Sequence, residues 1–198
     1  MSTSTPSSNR PFIVGIGGTT RVGSTSERAL AIALDHAMQL GCEVLAFGAG
    51  QIPIEPYDPS RVERSPQAVA LVDALRRADG VIVATPAYHG GISGLVKNTI
   101  DFVEDMRDDP APYFEGRAVG CIVCAEGAQA MGTTLSALRG VVHALRGWPT
   151  PYGATVQSST DPFGVRRGTA DPAALRACRI VAEEVSQFAH AMLAARTR

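Results

Sequence analysis

Five short apolar runs alternate with helical patterns along the chain, and this alternation constrains the fold more than any other feature. The apolar runs occupy residues 11–17, 42–47, 80–86, 117–125 and 151–158, and the helical patterns occupy 24–40, 67–78, 94–106, 133–147 and 171–195. The runs are apolar on both faces, which is typical of parallel strands that helices cover on either side. The sequence therefore predicts a doubly wound α/β domain, in which ligands bind at the carboxyl ends of the strands.

Length and charge narrow the class of protein further. The chain has 198 residues and a net charge of −1, so we expect one domain that binds neither nucleic acid nor a membrane. We expect residues 1–10 to be a disordered leader and residues 11–198 to form the domain. The leader lacks the pattern of a signal peptide and no apolar run is long enough to span a bilayer, so we expect a cytoplasmic protein.

Cys121 and Cys124 form a C-x-x-C pair inside the fourth apolar run. Redox pairs of this spacing stand at the start of a helix, whereas a strand sends residues three apart to opposite faces. A zinc site would need further ligands at matching spacing, and the sequence shows none. We therefore interpret both residues as core cysteines and predict no metal site.

The first apolar run leads into a glycine-rich loop, GIGGTTRVGSTS, at residues 15–26. Two phosphate-loop templates fit this loop poorly. The dinucleotide fingerprint needs a small residue where Thr20 stands, and the nucleotide-triphosphate loop needs a lysine where Ser24 stands. The loop therefore disfavours a nucleotide-triphosphate enzyme.

Hydroxyl side chains and one arginine crowd the same loop just before a helix begins. A helix N-terminus offers unpaired N–H groups and partial positive charge, hydroxyls add neutral donors, and the guanidinium of Arg21 fits phosphate oxygens. These features predict binding of a terminal phosphate monoester, the group that ends FMN. In a second interpretation Ser24 and Glu27 only form a capping box, and the two interpretations are compatible.

A second loop, TPAYHGGISG at residues 85–94, follows the third apolar run. Its proline and glycines predict a turn in which backbone approaches a ligand closely. Tyr88 and His89 stand on this turn, one strand away from the first loop. A flat ring system needs such a thin platform with an aromatic ring or imidazole nearby, although loop residues of these types also occur simply exposed on surfaces.

Together, GGTTRVGSTS and TPAYHGGISGLVKNTIDF resemble the two loops of the NAD(P)H-dependent FMN reductase family. The chain departs from the usual family pattern at Thr19 and at Gly91, where the family has serine. The resemblance implies a flavodoxin-like three-layer sandwich with a five-stranded parallel sheet in the order 2-1-3-4-5 and helices on both faces. It also implies FMN as cofactor and NAD(P)H as co-substrate.

The resemblance implies a role for each matching residue. The FMN phosphate would be held by Thr19, Arg21, Ser24 and Ser26. The isoalloxazine ring would be lined by Pro86, Ala87, Tyr88, His89 and Gly90, with Gly127 closing its other edge in the turn AEGAQAMG. Glu126 in that turn receives no role, because a carboxylate is unexpected beside an electron-rich ring.

If FMN is bound, the flavin performs the redox chemistry and the protein needs only to position the nicotinamide. We therefore predict hydride transfer from NAD(P)H to FMN with no catalytic side chain. His89 could modulate the reduced flavin through its charge. Candidate residues for binding the phosphate of NADPH are Arg139, Arg146, Arg166 and Arg167.

Two rival functions and several partners stay open at this point. A reductase of the same fold that acts on quinones, azo dyes or metal oxyanions has the same sequence features, and an electron carrier of the flavodoxin type is the rival from another class. The proline-rich loop at residues 48–66 suits a subunit interface, so we expect a homodimer or homotetramer. Residues 132–153 look like the subgroup that supplies reduced flavin to flavin-dependent monooxygenases.

Overall fold

A mixed sheet of seven strands forms the centre of the protein in the computed structural model, which describes residues 10–196. The strands are β1 (Phe12–Ile16), β2 (Glu43–Phe47), β3 (Gly80–Tyr88), β4 (Gly91–Ile92), β5 (Ala118–Ala125), β6 (Trp148–Pro149) and β7 (Ala154–Gln157). They are ordered β2-β1-β3-β5, with β6 and β7 both paired to β5, and only β4 is antiparallel. The five predicted strands thus occur in the predicted order. The strand count was wrong, because the two-residue strands β4 and β6 were not predicted.

Within residues 10–196, four α-helices connect the strands and a fifth follows the last strand. They are α1 (Thr25–Gln39), α2 (Pro66–Arg77), α3 (Gly94–Asp101), α4 (Ala128–Ala144) and α5 (Pro172–Arg196). The third helical pattern splits, because α3 tightens into a 3₁₀ turn at Phe102–Met106. Helix α4 begins five residues earlier than predicted: Gly132, which suggested a turn, lies inside the helix with open space around it. No helix in residues 10–196 is both long and apolar enough to cross a membrane.

The helices cover both faces of the sheet and create two apolar clusters. Alternate residues of each strand enter opposite clusters, so Ile13 packs with α1 and α5 while Val14 packs with α2, α3 and α4. Cys121 and Cys124 divide between the two clusters in the same way, and both are buried. The interpretation of the C-x-x-C pair as core residues is therefore confirmed.

A buried arginine fastens the sheet at the edge opposite the carboxyl ends. Arg117 is 5% exposed, and its guanidinium donates to the carbonyl oxygens of Ala78 (2.8 Å), Arg76 (3.0 Å), Tyr113 (3.0 Å) and Glu115 (3.2 Å). Burial lowers the pKa of this guanidinium from its usual value. The clamp joins the end of α2 to the start of β5.

The long loop between β2 and α2 is held against the body of the protein by two side chains of the α3 region. The Asn98 amide accepts from the N–H of Tyr57 (2.8 Å) and donates to the carbonyl of Glu55 (2.8 Å). Asp105 receives a bidentate pair from Arg64 at 2.7 and 2.8 Å, which lowers the pKa of this carboxyl. Asn98, at the end of the second family motif, therefore holds the long loop, whereas Lys97 pairs with Asp101 in its own helix.

Only one residue of the predicted leader lies among the described residues. Arg10 donates its Nε–H to the carbonyl of Gly41 at 3.0 Å. The rest of the predicted leader lies outside the described residues.

Candidate functional site

A cavity of about 370 Å³ opens at the carboxyl ends of β1, β3 and β5. Nine of the ten predicted site residues line it: Thr19, Arg21, Ser24, Ser26, Pro86, Ala87, Tyr88, His89 and Gly127. Gly90 does not line this cavity, because it forms the far side of the turn, where its carbonyl accepts from Thr133 Oγ1 at 3.3 Å. The two loops, which 58 residues separate in the sequence, therefore meet at one site, as the fold requires.

Hydroxyl groups form the wall of the cavity at the start of α1. Thr19 Oγ1 lies 3.0 Å from Ser24 Oγ, and Ser24 Oγ lies 3.4 Å from Ser26 Oγ. Ser24 and Ser26 are 3% and 2% exposed, whereas Arg21 is exposed at the rim. Since hydroxyls rotate to suit an incoming acceptor, this chain of three can redirect its donors toward an anion.

A shifted form of the capping box lies beside this wall, because Glu27 reaches the N–H of Gly23 and not that of the N-cap residue Ser24. Ser24 Oγ accepts the N–H of Glu27 at 3.3 Å, and the Glu27 carboxylate accepts the N–H of Gly23. Glu27 is thereby directed back along its own helix. The capping interpretation and the anion-binding interpretation are compatible in this geometry, because the cap leaves other N–H groups of the first turn without intrahelical partners.

The second loop is a tight β-hairpin. Strands β3 and β4 pair through Ala87 with Ile92 and through Tyr88 with Gly91. His89 and Gly90 form the two-residue turn, with φ of 54° and 80°. Two consecutive positive φ values are the signature of a type I′ turn, which follows the twist of the flanking strands. The hairpin presents Tyr88 (58% exposed) and His89 at the mouth of the cavity.

A buried latch joins the two loops, and no pattern in the sequence predicted it. Ser93 Oγ donates to the carbonyl of Gly18 at 3.1 Å and accepts the N–H of Val96, which caps α3. Thr85 Oγ1 in turn accepts the N–H of Ser93 at 3.1 Å. Ser93 and Thr85 are 2% and 0% exposed. The latch fixes the spacing between the hydroxyl wall and the hairpin.

The third edge of the cavity is the short turn between β5 and α4. This turn is shorter than predicted, with Gly127 at the N-cap of α4. The carbonyl of Glu126 accepts from Gln157 Nε2 (3.2 Å) and Ser159 Oγ (3.4 Å), so the backbone here is fixed while the Glu126 side chain is exposed. A Cβ at Gly127 would meet no atom within 4 Å, which leaves open space on the cavity side of the turn.

The donor set suits a flavin monophosphate. One end of the cavity offers hydroxyls, a guanidinium and a helix N-terminus, and the other offers a flat backbone platform with Tyr88 and His89. The carboxylate of Glu27, on the first turn of α1, accepts a backbone N–H, and Glu126 is the acidic residue in the cavity lining. A volume of about 370 Å³ lies within the range of small-molecule pockets.

Two of the arginines considered for a nicotinamide phosphate lie elsewhere. Arg139 donates to the carbonyl of Thr150 at 2.6 Å, and Arg146 pairs with Glu115 at 3.1 Å beyond the C-terminal end of α4. The far end of α4 lies at the opposite edge of the sheet from the cavity, so Arg146 is too remote to serve. Arg166 does lie beside the cavity region, in the loop after β7.

The family model for NADPH-dependent FMN reductases matches residues 11–161. The chain belongs to this family. The matched range includes both loops, the hairpin and the turn after β5. Every residue that lines the cavity therefore lies within the part of the chain that matches the family.

Relatives of this family member carry related names. A quinone reductase of Escherichia coli (strain K12) is 33% identical over 100 residues, which are 50% of this chain and 53% of the relative. An FMN reductase (NADPH) of Pseudomonas putida (strain KT2440) is 30% identical over 94 residues, 48% of this chain and 47% of the relative. The chain thus spans about half the length of these curated relatives.

Solved structures share the fold. An NADH:FMN oxidoreductase in its apo form superposes with a TM-score of 0.64 at 22% identity, covering 91% of this chain and 89% of that chain. The predicted flavodoxin-like fold is confirmed.

Proposed function

We propose that the protein is an NAD(P)H-dependent FMN reductase. The observation that carries this proposal is the convergence of the hydroxyl wall and the Tyr-His hairpin on one cavity, at a spacing fixed by a buried latch. Membership of the FMN reductase family supports the same function.

Four residues would hold the phosphate, and five would surround the ring. Thr19, Ser24 and Ser26 would donate hydroxyl hydrogens to the phosphate oxygens, and the guanidinium of Arg21 would donate from the rim. The ring would be contacted by Pro86, Ala87, Tyr88, His89 and Gly127, while Gly90 would only shape the turn behind them. Bound FMN supplies the redox chemistry, since its ring accepts a hydride from reduced nicotinamide and passes electrons on.

In this proposal the protein positions the nicotinamide over the flavin ring and supplies no group that transfers a proton. Tyr88 and His89 are exposed at the mouth, so a nicotinamide can enter over the platform and stack on the ring beneath. We assign no catalytic acid or base. His89 lines the cavity, so a charged imidazole there would stabilise a reduced, anionic flavin ring. A His89→Ala variant with unchanged flavin potential and turnover would contradict that role.

The first experiment measures FMN binding and nicotinamide oxidation with the purified chain. We expect FMN to bind, and anaerobic NADPH or NADH to bleach the bound flavin with no other protein present. Arg21→Gln should weaken FMN binding by about tenfold, because one charge-assisted contact is lost. Arg107→Gln, at an exposed arginine outside the cavity, is the matched control. A chain that binds no flavin, or that needs a protein partner to oxidise NADPH, would contradict the proposal.

Quinone reduction is the second candidate function, favoured by the quinone reductase relative. The acceptor would replace the oxidised nicotinamide over the same open platform. Comparing a quinone with free FMN as acceptor, while the flavin that leaves the protein is measured by ultrafiltration, distinguishes the two functions. A flavin that stays bound during quinone turnover favours the quinone reductase, and a flavin that leaves in reduced form favours the flavin reductase.

The remaining predictions concern partners and location. We propose a homodimer or homotetramer, supported by the apolar side chains that the long loop exposes, Ile54 (75%) and Val62 (95%). Light scattering after gel filtration tests this proposal. A flavin-dependent monooxygenase partner, a cytoplasmic location and a single domain at residues 11–198 are proposed on the sequence features given above.

A further inference from the structure

Glu126 places a carboxylate in the lining of the flavin cavity, and the charge of this lining is balanced. Among residues 10–196, the charged side chains in the lining, apart from the imidazole of His89, are Arg21 and Glu126. Their charges cancel, so a ligand meets no net positive charge from this pair. A phosphate monoester carries about 1.5 to 2 negative charges at pH 7. Its binding would therefore depend mainly on the neutral donors of the hydroxyl wall.

The Glu126 side chain lies toward the phosphate end of the cavity. Glu126 also lines a neighbouring cavity, which it shares with Arg21, Thr25 and Ser158. Among the described residues, none from the 86–90 platform lines that neighbouring cavity. Thr25 is the first residue of α1, directly beside the hydroxyl wall. The carboxylate of Glu126 therefore borders the place where the phosphate would lie, and not the ring platform.

The structure holds this carboxylate beside the cavity without neutralising it. The Glu126 side chain is exposed, and within residues 10–196 it forms no ion pair. Its backbone is anchored, since its carbonyl oxygen accepts from Gln157 Nε2 at 3.2 Å and from Ser159 Oγ at 3.4 Å. An entering phosphate therefore meets a negative charge that no arginine of the described chain compensates.

A second carboxylate reduces the attraction of the α1 N-terminus for an anion. Glu27, in the first turn of α1, accepts the backbone N–H of Gly23. A carboxylate at this position offsets part of the positive charge of the helix end, and it occupies one backbone donor of the first loop. The phosphate would thus receive little unmatched positive charge, and the charge of Glu126 would have a direct effect on its affinity.

We propose that Glu126 is a specificity-determining residue that weakens the hold on the phosphate, so that FMN exchanges with free flavin between turnovers. This inference rests on the proposed function, because it assumes that FMN lies in the cavity with its phosphate at the hydroxyl wall. Repulsion between the carboxylate and the phosphate opposes binding and speeds dissociation. Riboflavin carries the same ring without the phosphate, so this repulsion does not act on it.

The experiment compares FMN with riboflavin on the purified full chain and on Glu126→Gln, which keeps the shape of the side chain and removes its charge. Dissociation constants are measured by quenching of flavin fluorescence. Glu126→Gln should bind FMN about tenfold more tightly and release it about tenfold more slowly in stopped-flow dilution, with riboflavin binding within about twofold. Raising the salt from about 0.1 M to about 1 M should reduce the difference for FMN, because the charges are then screened.

Glu43→Gln is the matched control. Glu43 is exposed at the start of β2, at the edge of the sheet opposite the carboxyl ends. The same loss of charge there should leave the binding of both flavins within about twofold.

A selective gain in FMN affinity by Glu126→Gln supports the proposal. Equal tightening of FMN and riboflavin overturns it, because the carboxylate would then act on the ring. Unchanged or weaker FMN binding also overturns it, as does FMN that leaves the unmodified chain more slowly than one turnover. In these cases FMN binding and nicotinamide oxidation by the unmodified chain keep the proposed function. If the unmodified chain binds neither flavin, the inference and the proposed function both fail.

Discussion

Gly18→Ala tests whether the close approach of the two loops builds the cavity. A Cβ at this position would lie 2.5 Å from Pro86 Cδ, 2.8 Å from the Ala84 carbonyl oxygen and 3.0 Å from Val96 Cγ2. Favourable contacts between carbon atoms begin at about 3.5 Å, so the first loop would have to retreat by about 1 Å. The nearest neighbours are a proline ring and a backbone carbonyl, which cannot rotate away.

We expect a cost near the upper end of the range for overpacked sites, about 3 kcal/mol. For a domain of this size that corresponds to a fall in Tm of about 6–12 °C, measured by differential scanning calorimetry without flavin. The carbonyl of Gly18 is the acceptor of the Ser93 latch, so the hydroxyl wall should move with it. FMN binding should weaken by about tenfold or more, measured by fluorescence quenching.

Gly132→Ala provides the matched control, because this glycine lies inside α4 with no atom within 4 Å of an added Cβ. Alanine is the better helix former, so this variant should gain up to about 1 kcal/mol and bind FMN normally. If Gly18→Ala melts with the unmodified protein and binds FMN within about twofold of its affinity, the two loops are not locked as described.

Three further predictions concern the latch, the clamp and the loop anchor. Ser93→Ala should lose about 2–3 kcal/mol in urea unfolding and weaken FMN binding, because the Gly18 carbonyl and the α3 cap both lose a partner, whereas Ser136→Ala at an exposed site should do neither. Arg117→Met should lose about 3 kcal/mol with unchanged FMN affinity, since four carbonyls lose their donor at the far edge of the sheet; weakened binding would refute that separation. Asp105 has a lowered pKa in the folded state, chiefly through its hydrogen bonds from Arg64, so its contribution is complete above about pH 4 and is lost as the pH falls through the folded value. Asp105→Asn should therefore be less stable than the unmodified protein at pH 7, and urea unfolding at pH 3 should show a smaller difference.

The strands and helices that follow from the local hydrophobic pattern could be predicted from the sequence. Alternation of apolar runs and amphipathic helices located the five main strands, and the order of those strands followed from the family resemblance. The beginning of α4 was missed because Gly132 has a weak helix propensity, which packing and the neighbouring alanines override. The hairpin was predicted only as a turn with close backbone approach, although a glycine following a residue that tolerates positive φ is a known signal for a type I′ turn.

The contacts that assemble the site depend on tertiary approach and so escaped the sequence pattern. The Ser93–Gly18 hydrogen bond joins residues 75 positions apart. Asn98 belongs to the same motif as Tyr88, yet its amide holds the long loop. The course of the loop that carries Arg166 could not be predicted either, since it depends on the backbone N–H groups that the Asp161 carboxylate accepts.

Cys124 is both part of the flavin cavity lining and 2% exposed. Burial, reinforced by the neighbouring Cys178, raises the pKa of the Cys124 thiol, so the sulfur stays protonated at neutral pH. Electrophiles and peroxides attack thiolates far faster than thiols. A cleft that processes quinones, or that holds reduced flavin in air, would thus be protected from alkylation and oxidation of its own wall, and the strand that forms its floor would survive repeated turnover.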